Sequence, residues 1–163
     1  MRFIKELVPY IVIIAIVVLF RSYIATPVRV DGDSMVPTFE DGQILILNKM
    51  DREYERMDVV VFDYKKDRLI KRVIGLPGET VEIKDNILYI NGEEVSDYKD
   101  DVKTADYELN VVIPEGYYFV LGDNRGISAD SRMIGLISED DLKGTICFRL
   151  FPLMKIGGIK WRV

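Results

Sequence analysis

The sequence contains no histidine. That absence rules out a Ser-His-Asp triad and any histidine-ligated metal site. There is one cysteine, Cys147, so no internal disulfide can form. It lies in Thr145-Ile146-Cys147-Phe148, which reads as a buried strand, and there is no histidine to activate a thiol. A small core residue is therefore expected there. Positive charge is also short. Lys and Arg number 22 against 27 Asp and Glu, a net charge of -5, and no basic patch is interleaved with aromatics. A nucleic-acid partner is not expected. Internal repeats and low-complexity tracts are absent from the 163 residues, of which 48% are hydrophobic. That length suits one domain plus an additional segment.

The additional segment is at the N-terminus. From Leu7 to Phe20 every residue but Pro9 is apolar, and with its flanks the stretch runs from Phe3 to Ile24. As a helix rising ~1.5 Å per residue it is about 33 Å long, enough to cross a bilayer. Lys5, Glu6, Arg21 and Ser22 lie near its ends, where long charged side chains can reach the interface. Pro9 is expected in the first turns. A cleavable leader is the competing reading. It would need a long apolar region interrupted by Arg21, and a cut after Ala25 would put Tyr23 where a small residue belongs. An uncleaved anchor over residues 1–25 is favoured. A buried core helix fits poorly, because the run has no polar face. Charge does not orient it: Arg2 and Lys5 precede the span, and Arg21 and Arg29 follow.

After Pro27 the texture changes to short β-rich runs separated by turn residues. Strands are expected at Val28–Val30, Gln43–Asn48, Asp58–Tyr64, Arg68–Ile74, Thr80–Ile83, Ile87–Ile90, Leu109–Ile113, Tyr117–Leu121 and Gly144–Leu150. Asn91-Gly92 signals a type I′ hairpin into Glu93-Glu94-Val95. Ser96–Asp106 reads as a polar loop, and Glu139–Leu142 as a short helical turn. The spacing predicts a mainly β domain over residues 26–163, a folded antiparallel sheet or barrel rather than alternating βαβ units.

Candidate chemistry starts at Asp31-Gly32-Asp33-Ser34-Met35-Val36-Pro37-Thr38. Were Ser34 a nucleophile, its base would have to be Lys, Asp, Glu, Tyr or an amine. Lys71 stands out. Residues two apart on a strand share a face, so Lys71 lies with Leu69 and Val73. A lysine so placed is desolvated, and its ordinary pKa of ~10.4 falls toward the range where a neutral amine accepts a proton. A lysine guarding an edge strand fits the same residue, and Gly-Asp-Ser also occurs as a plain turn. Those two motifs leave both readings open. The third segment, Gly122 to Arg132, is a dense polar loop after the apolar strand Tyr118–Leu121, richer in hydrogen-bonding groups than a turn needs.

Taken in order, Gly32–Thr38, Lys71-Arg72-Val73-Ile74-Gly75-Leu76-Pro77-Gly78-Glu79, and Gly122-Asp123-Asn124-Arg125 with Ser128-Ala129-Asp130-Ser131-Arg132 resemble bacterial type I signal peptidases of the minimal Gram-positive kind. The resemblance covers nearly the whole chain. It implies a single-pass membrane serine endopeptidase with its N-terminus inside and its β domain on the outer face. Such an enzyme removes signal peptides from exported preproteins after small residues at the minus-one and minus-three positions. It implies Ser34 as nucleophile and Lys71 as general base, with Ser128 hydrogen-bonding and aiming the amine. Asp130 and Arg132 would form a structural ion pair, Asp123 and Arg125 would brace the same loop, and Gly122 would let the backbone pack against the lysine. Substrate pockets are expected from Val28, Val30, Met35, Phe39, Leu45, Val61 and Ile70, though for any one of them core packing is the better reading. The expected partners are signal peptides and the lipid bilayer, without metal or cofactor. Some relatives carry a hydroxyl two residues before the nucleophile. This chain has Gly32 there, so the second oxyanion donor is unassigned. Competing readings are a self-cleaving relative in the wider Ser/Lys peptidase group and a catalytically inactive assembly factor.

Overall fold

The computed structural model describes residues 2–95 and 103–159. Helix α1 (Arg2–Tyr23) is the apolar N-terminal run. Its Glu6–Tyr23 window has a mean hydropathy of 1.9 and none of it is buried inside the protein, so it is long and apolar enough to cross a membrane. Because the helix begins at Arg2, Pro9 sits beyond the first turn and removes one internal N–H···O bond.

The β domain is built from β1 (Ala25–Arg29), β2 (Ile44–Asn48), β3 (Val59–Tyr64), β4 (Asp67–Gly75), β5 (Val81–Lys84), β6 (Ile87–Ile90), β7 (Glu93–Glu94), β8 (Tyr107–Glu108), β9 (Tyr117–Leu121), β10 (Ile137–Ser138), β11 (Leu142–Phe151) and β12 (Gly157–Gly158). A single-turn helix, α2 (Ser131–Ile134), follows β9. The larger sheet has the order β1-β2-β11-β3-β4-β9-β10, with β12 beside β11; the smaller has the order β7-β6-β5-β8. The pairings are antiparallel, as expected for a mainly β fold.

Strand β3 explains the layering. It is a central strand between β11 and β4, and apolar clusters pack on both of its faces, so it reads as a continuous apolar run. Val59 and Val61 pack with Val30, Met35, Phe39 and Leu45, while Val60 and Phe62 pack with Val73, Tyr118 and Val120 on the other side. A third cluster, including Ile74, Phe119, Val81, Ile83 and Leu88, joins the two sheets. Gly75 sits at that joint. A Cβ there would fall 2.6 Å from both Ile113 and Val81 side-chain atoms, closer than packed carbons approach. Both central residues of the β6–β7 turn, Asn91 (φ 53°) and Gly92 (φ 80°), are left-handed, as a type I′ hairpin requires.

Several expectations change. Leu109–Ile113 is not a strand; the edge pairing is made two residues earlier, at Tyr107–Glu108. Strands β10 and β12 and helix α2 were not anticipated. Cys147 lies on β11 as expected but is exposed. Its neighbour Ile146 faces the core, so alternation along the strand points the thiol outward. The Glu139–Asp141 turn is a 3-10 helix capped by Ser138. Of the 96–106 stretch, residues 96–102 lie outside the described residues.

Candidate active site

Ser34 stands at the end of a loop leaving β1. Gly32, with φ 80°, turns the chain there, and its N–H donates to Asp41 Oδ1 at 2.9 Å. The loop is fixed from three directions. Phe39 N–H donates to Met35 O at 2.8 Å, closing a helical turn behind the serine, and the Val36–Pro37 bond in that turn is cis. Asn124 N–H donates to Ser34 O at 3.0 Å, tying the serine backbone to the 122–132 loop. Arg149, from β11, donates to Thr38 O at 2.7 Å and lies 5.2 Å from the Phe39 ring centroid. Arg149 was missed in the sequence, although an arginine amid the apolar residues of Phe148–Phe151 is a readable signal.

Lys71 comes from the middle of β4. It lies opposite Val60, and Leu69 and Val73 on the same strand face lie opposite Phe62 and Val120. All of these belong to or pack against one apolar cluster. Lys71 is 2% exposed, and its Nζ is 2.7 Å from Ser34 Oγ. Burial pulls the amine down from 10.5 to about 8, against the opposing attraction of Asp130 and Asp123.

The two carboxylates that attract Lys71 are each held by an arginine. Asp130 is fully buried; it accepts from Arg132 Nε and Nη2, both at 2.8 Å, and from Gly122 N–H at 3.0 Å. Burial alone would raise its pKa, but these hydrogen bonds and the Arg132 charge hold it below the ordinary carboxyl range. Asp130 also caps α2. Asp123 does not pair within its own loop. It accepts two bonds from Arg72, the residue after Lys71, at 2.8 and 2.5 Å. Arg72 also reaches Met57 O and Thr38 Oγ1. Arg125 is buried and donates to Gly122 O at 2.8 Å, while its own carbonyl accepts from Arg132.

One expected contact differs. Ser128 is buried in this site, but its hydroxyl makes no hydrogen bond to Lys71; it lies on the Asp130 side, where it helps hold that carboxyl down. The nearest atoms at Gly122 belong to Ser128 and the Ser34 backbone. A Cβ there would lie 2.1 Å from Ser128 Oγ and 2.6 Å from Ser34 O. The backbone just after β9 runs so near the serine loop that Ser128 fills the space a side chain would take.

The seven apolar candidates do come together. Val30, Met35, Phe39, Leu45 and Val61 are buried in one cluster, with Val28 and Ile70 packed against it and partly exposed. The five buried side chains are core, so open apolar surface on this set comes from Val28 and Ile70.

Comparison with known proteins follows the same lines. The family model described as signal peptidase, peptidase S26, matches residues 2–151. Signal peptidase IB of Staphylococcus aureus is 40% identical, over 91% of this chain and 91% of that protein. Signal peptidase I of Bacillus amyloliquefaciens is 41% identical, over 87% of this chain and 82% of that protein. The crystal structure of a signal peptidase I from Enterococcus faecalis is 38% identical and superposes with a TM-score of 0.52, covering 57% of this chain and 96% of that one. With fold, motif order and sequence identity in agreement, the chain belongs to the signal peptidase family, peptidase S26.

Proposed function

We propose that this chain is a membrane-anchored serine endopeptidase that cleaves signal peptides from exported preproteins with a Ser34/Lys71 dyad. The observation that carries the dyad is the 2.7 Å approach of a buried amine to the serine hydroxyl, in a chain without histidine. Neutral Lys71 takes the Ser34 proton as Oγ attacks the scissile carbonyl. The Ser34 N–H donates to no described protein group and is free to hold the developing oxyanion. The carbonyl–nitrogen bond then breaks, and the protonated lysine gives its proton to the departing amine. A water activated by Lys71 hydrolyses the acyl-enzyme and regenerates Ser34. The buried Ser128 hydroxyl has lone pairs to spare for the lysine ammonium once it forms.

Among the described residues strand β1 is one of the two edges of the larger sheet. An extended substrate pairs along it by strand addition, with small side chains lying over Val28 and Ile70. Residues 1–25 form a single membrane anchor and residues 26–163 the catalytic domain outside. Signal peptides present their cleavage sites at the membrane surface, so tethering raises the enzyme's effective concentration where it acts.

The test is cleavage of a preprotein in detergent by the full chain and by Ser34→Ala and Lys71→Ala. Both variants should lose turnover, and a penem-type acylating inhibitor should label the parent at Ser34 alone. A Lys71→Ala enzyme that retains most of its rate overturns the assignment.

A further inference from the structure

Away from Ser34 and Lys71, a cleft of about 360 Å³ opens where α1 meets the β domain. Its walls include Ser22 and Tyr23 from the last turn of α1, and the cations Lys49, Arg52, Arg68 and Lys143. One carboxylate, Asp140, lines it as well. Asp63, nearby, is shared between Arg68 at 3.0 Å and Lys143 at 3.2 Å. Lys49 and Arg52 have no carboxylate at ion-pair distance among the described residues. The cleft is thus a concentrated positive site on a chain whose net charge is -5.

It is also fixed to the end of the helix. Lys49 Nζ donates to Arg21 O at 2.9 Å and to Ser22 O at 3.4 Å, satisfying carbonyls left unpaired by the helix terminus. Lys49 N–H donates to Ile24 O at 2.9 Å, so the chain leaves α1 already paired to the β domain. Tyr23, 71% exposed, is an amphipathic ring of the kind that settles at the headgroup level.

We propose that this cleft binds the phosphate of an anionic phospholipid headgroup in the leaflet where α1 ends. The proposal rests on α1 being a membrane span, which places Ser22 and Tyr23, and so the cleft, at headgroup depth. The chemistry it takes is a phosphate ester, held by Arg52, Lys143 and the remaining N–H of Lys49. A lipid is favoured over a soluble phosphate because the helix end itself forms part of the wall. Binding there sets the height and roll of the β domain on the membrane, and with it the position of the β1 edge that begins two residues after the helix.

The experiment reconstitutes the full chain into nanodiscs of equimolar phosphatidylcholine and phosphatidylglycerol. Native mass spectrometry then counts the lipids each protein retains. The parent should retain phosphatidylglycerol preferentially. A basic side chain at an anionic surface contributes a factor of about five. The Arg52→Gln/Lys143→Gln double variant should therefore lose that preference by about 20- to 30-fold, and Arg52→Lys/Lys143→Arg should keep it. Preprotein cleavage in lipid-free detergent reports folding. If the double variant fails there, Arg52→Gln alone should show a drop of about five-fold. Equal phosphatidylglycerol retention by parent and variant overturns the site. Stripping of the lipid by millimolar glycerol 3-phosphate makes it a soluble-phosphate site and overturns the lipid assignment. Loss of both proteins from discs of pure phosphatidylcholine would instead mean that α1 does not anchor the chain.

Discussion

Replacing Lys71 by methionine removes the amine but keeps most of its volume, so it separates what this residue does for catalysis from what it costs the fold. Burial lowers the amine from 10.5 to about 8. At ~1.4 kcal/mol per tenfold change, that fall corresponds to about 3 kcal/mol of disfavoured charge. The folded state favours the neutral amine, while the unfolded chain holds its proton up to the ordinary value. The unfolded state therefore binds more protons between pH 8 and 10.5, and stability rises with pH across that window. Below pH 8 the whole cost is present. At pH 7 it is about 3 kcal/mol, and by pH 10 it is under ~1 kcal/mol. Methionine removes it, giving up only the bond to Ser34, worth about 1 kcal/mol. Lys71→Met should thus be inactive yet more stable at pH 7 by about 2 kcal/mol, or ~4–8 °C in Tm for a domain of this size. The gain should vanish near pH 10. Thermal melts of both proteins in the same detergent, at pH 7, 8.5 and 10, read this directly. A variant less stable than the parent at pH 7, or a difference that does not change with pH, would refute a buried lysine with a lowered pKa.

Three further outcomes follow from the same geometry. The rate constant kcat/KM for a preprotein should rise through an apparent pKa near 8, because protonated Lys71 cannot accept the Ser34 proton; a rate still climbing at pH 10 would contradict the value. Gly122→Ala places a methyl 2.1 Å from Ser128 Oγ and 2.6 Å from Ser34 O, so it should cost about 1–3 kcal/mol of stability and displace the serine. A Gly122→Ala enzyme with the parent's Tm and turnover would show that the loop yields freely. Ile70→Ala should admit larger residues at the minus-three position, improving a leucine-bearing substrate by about ten-fold or more relative to alanine, and an unchanged cleavage-site preference would remove Ile70 from the pocket.

What could be read in the chain was whatever a residue's own neighbours dictate. The apolar runs of β2, β3, β4 and β9 announce strands, and alternation on β4 places Lys71 with Leu69 and Val73, where the structure has them. The meeting of Ser34 and Lys71, 37 positions apart, follows from motif order and resemblance, not from periodicity. What could not be read depends on partners distant in sequence. Strands β10 and β12 are two residues each and exist only because β9 and β11 offer them an edge. Asp123 has Arg125 two residues away, yet chooses Arg72 from the neighbouring strand. Cys147 faces outward because Ile146 beside it packs into the core, and a run as apolar as Ile146-Cys147-Phe148 does not announce which of its faces that is.

The arginines explain how a lysine beside two carboxylates keeps a pKa as low as about 8. Asp130 and Asp123 both pull Lys71 toward its charged form, and two bare carboxylates at this depth would defeat the desolvation that lowers it. Each is already committed. Asp130 accepts four bonds from Arg132 and Gly122, and Asp123 takes both of its bonds from Arg72. Bidentate guanidinium pairs spend the carboxylate's field locally, and a planar fork does this where a lysine could not. The same two pairs position the site. Arg72 ties the 122–132 loop to β4 immediately beside Lys71, and it also reaches Thr38 in the serine loop. Arg149 holds Thr38 from the other side, and Asn124 holds Ser34 itself. The charges that neutralise one another are therefore also the struts that keep the amine and the hydroxyl at 2.7 Å. Breaking either ion pair would release a buried carboxylate toward Lys71, so loss of position and loss of the neutral base would come together.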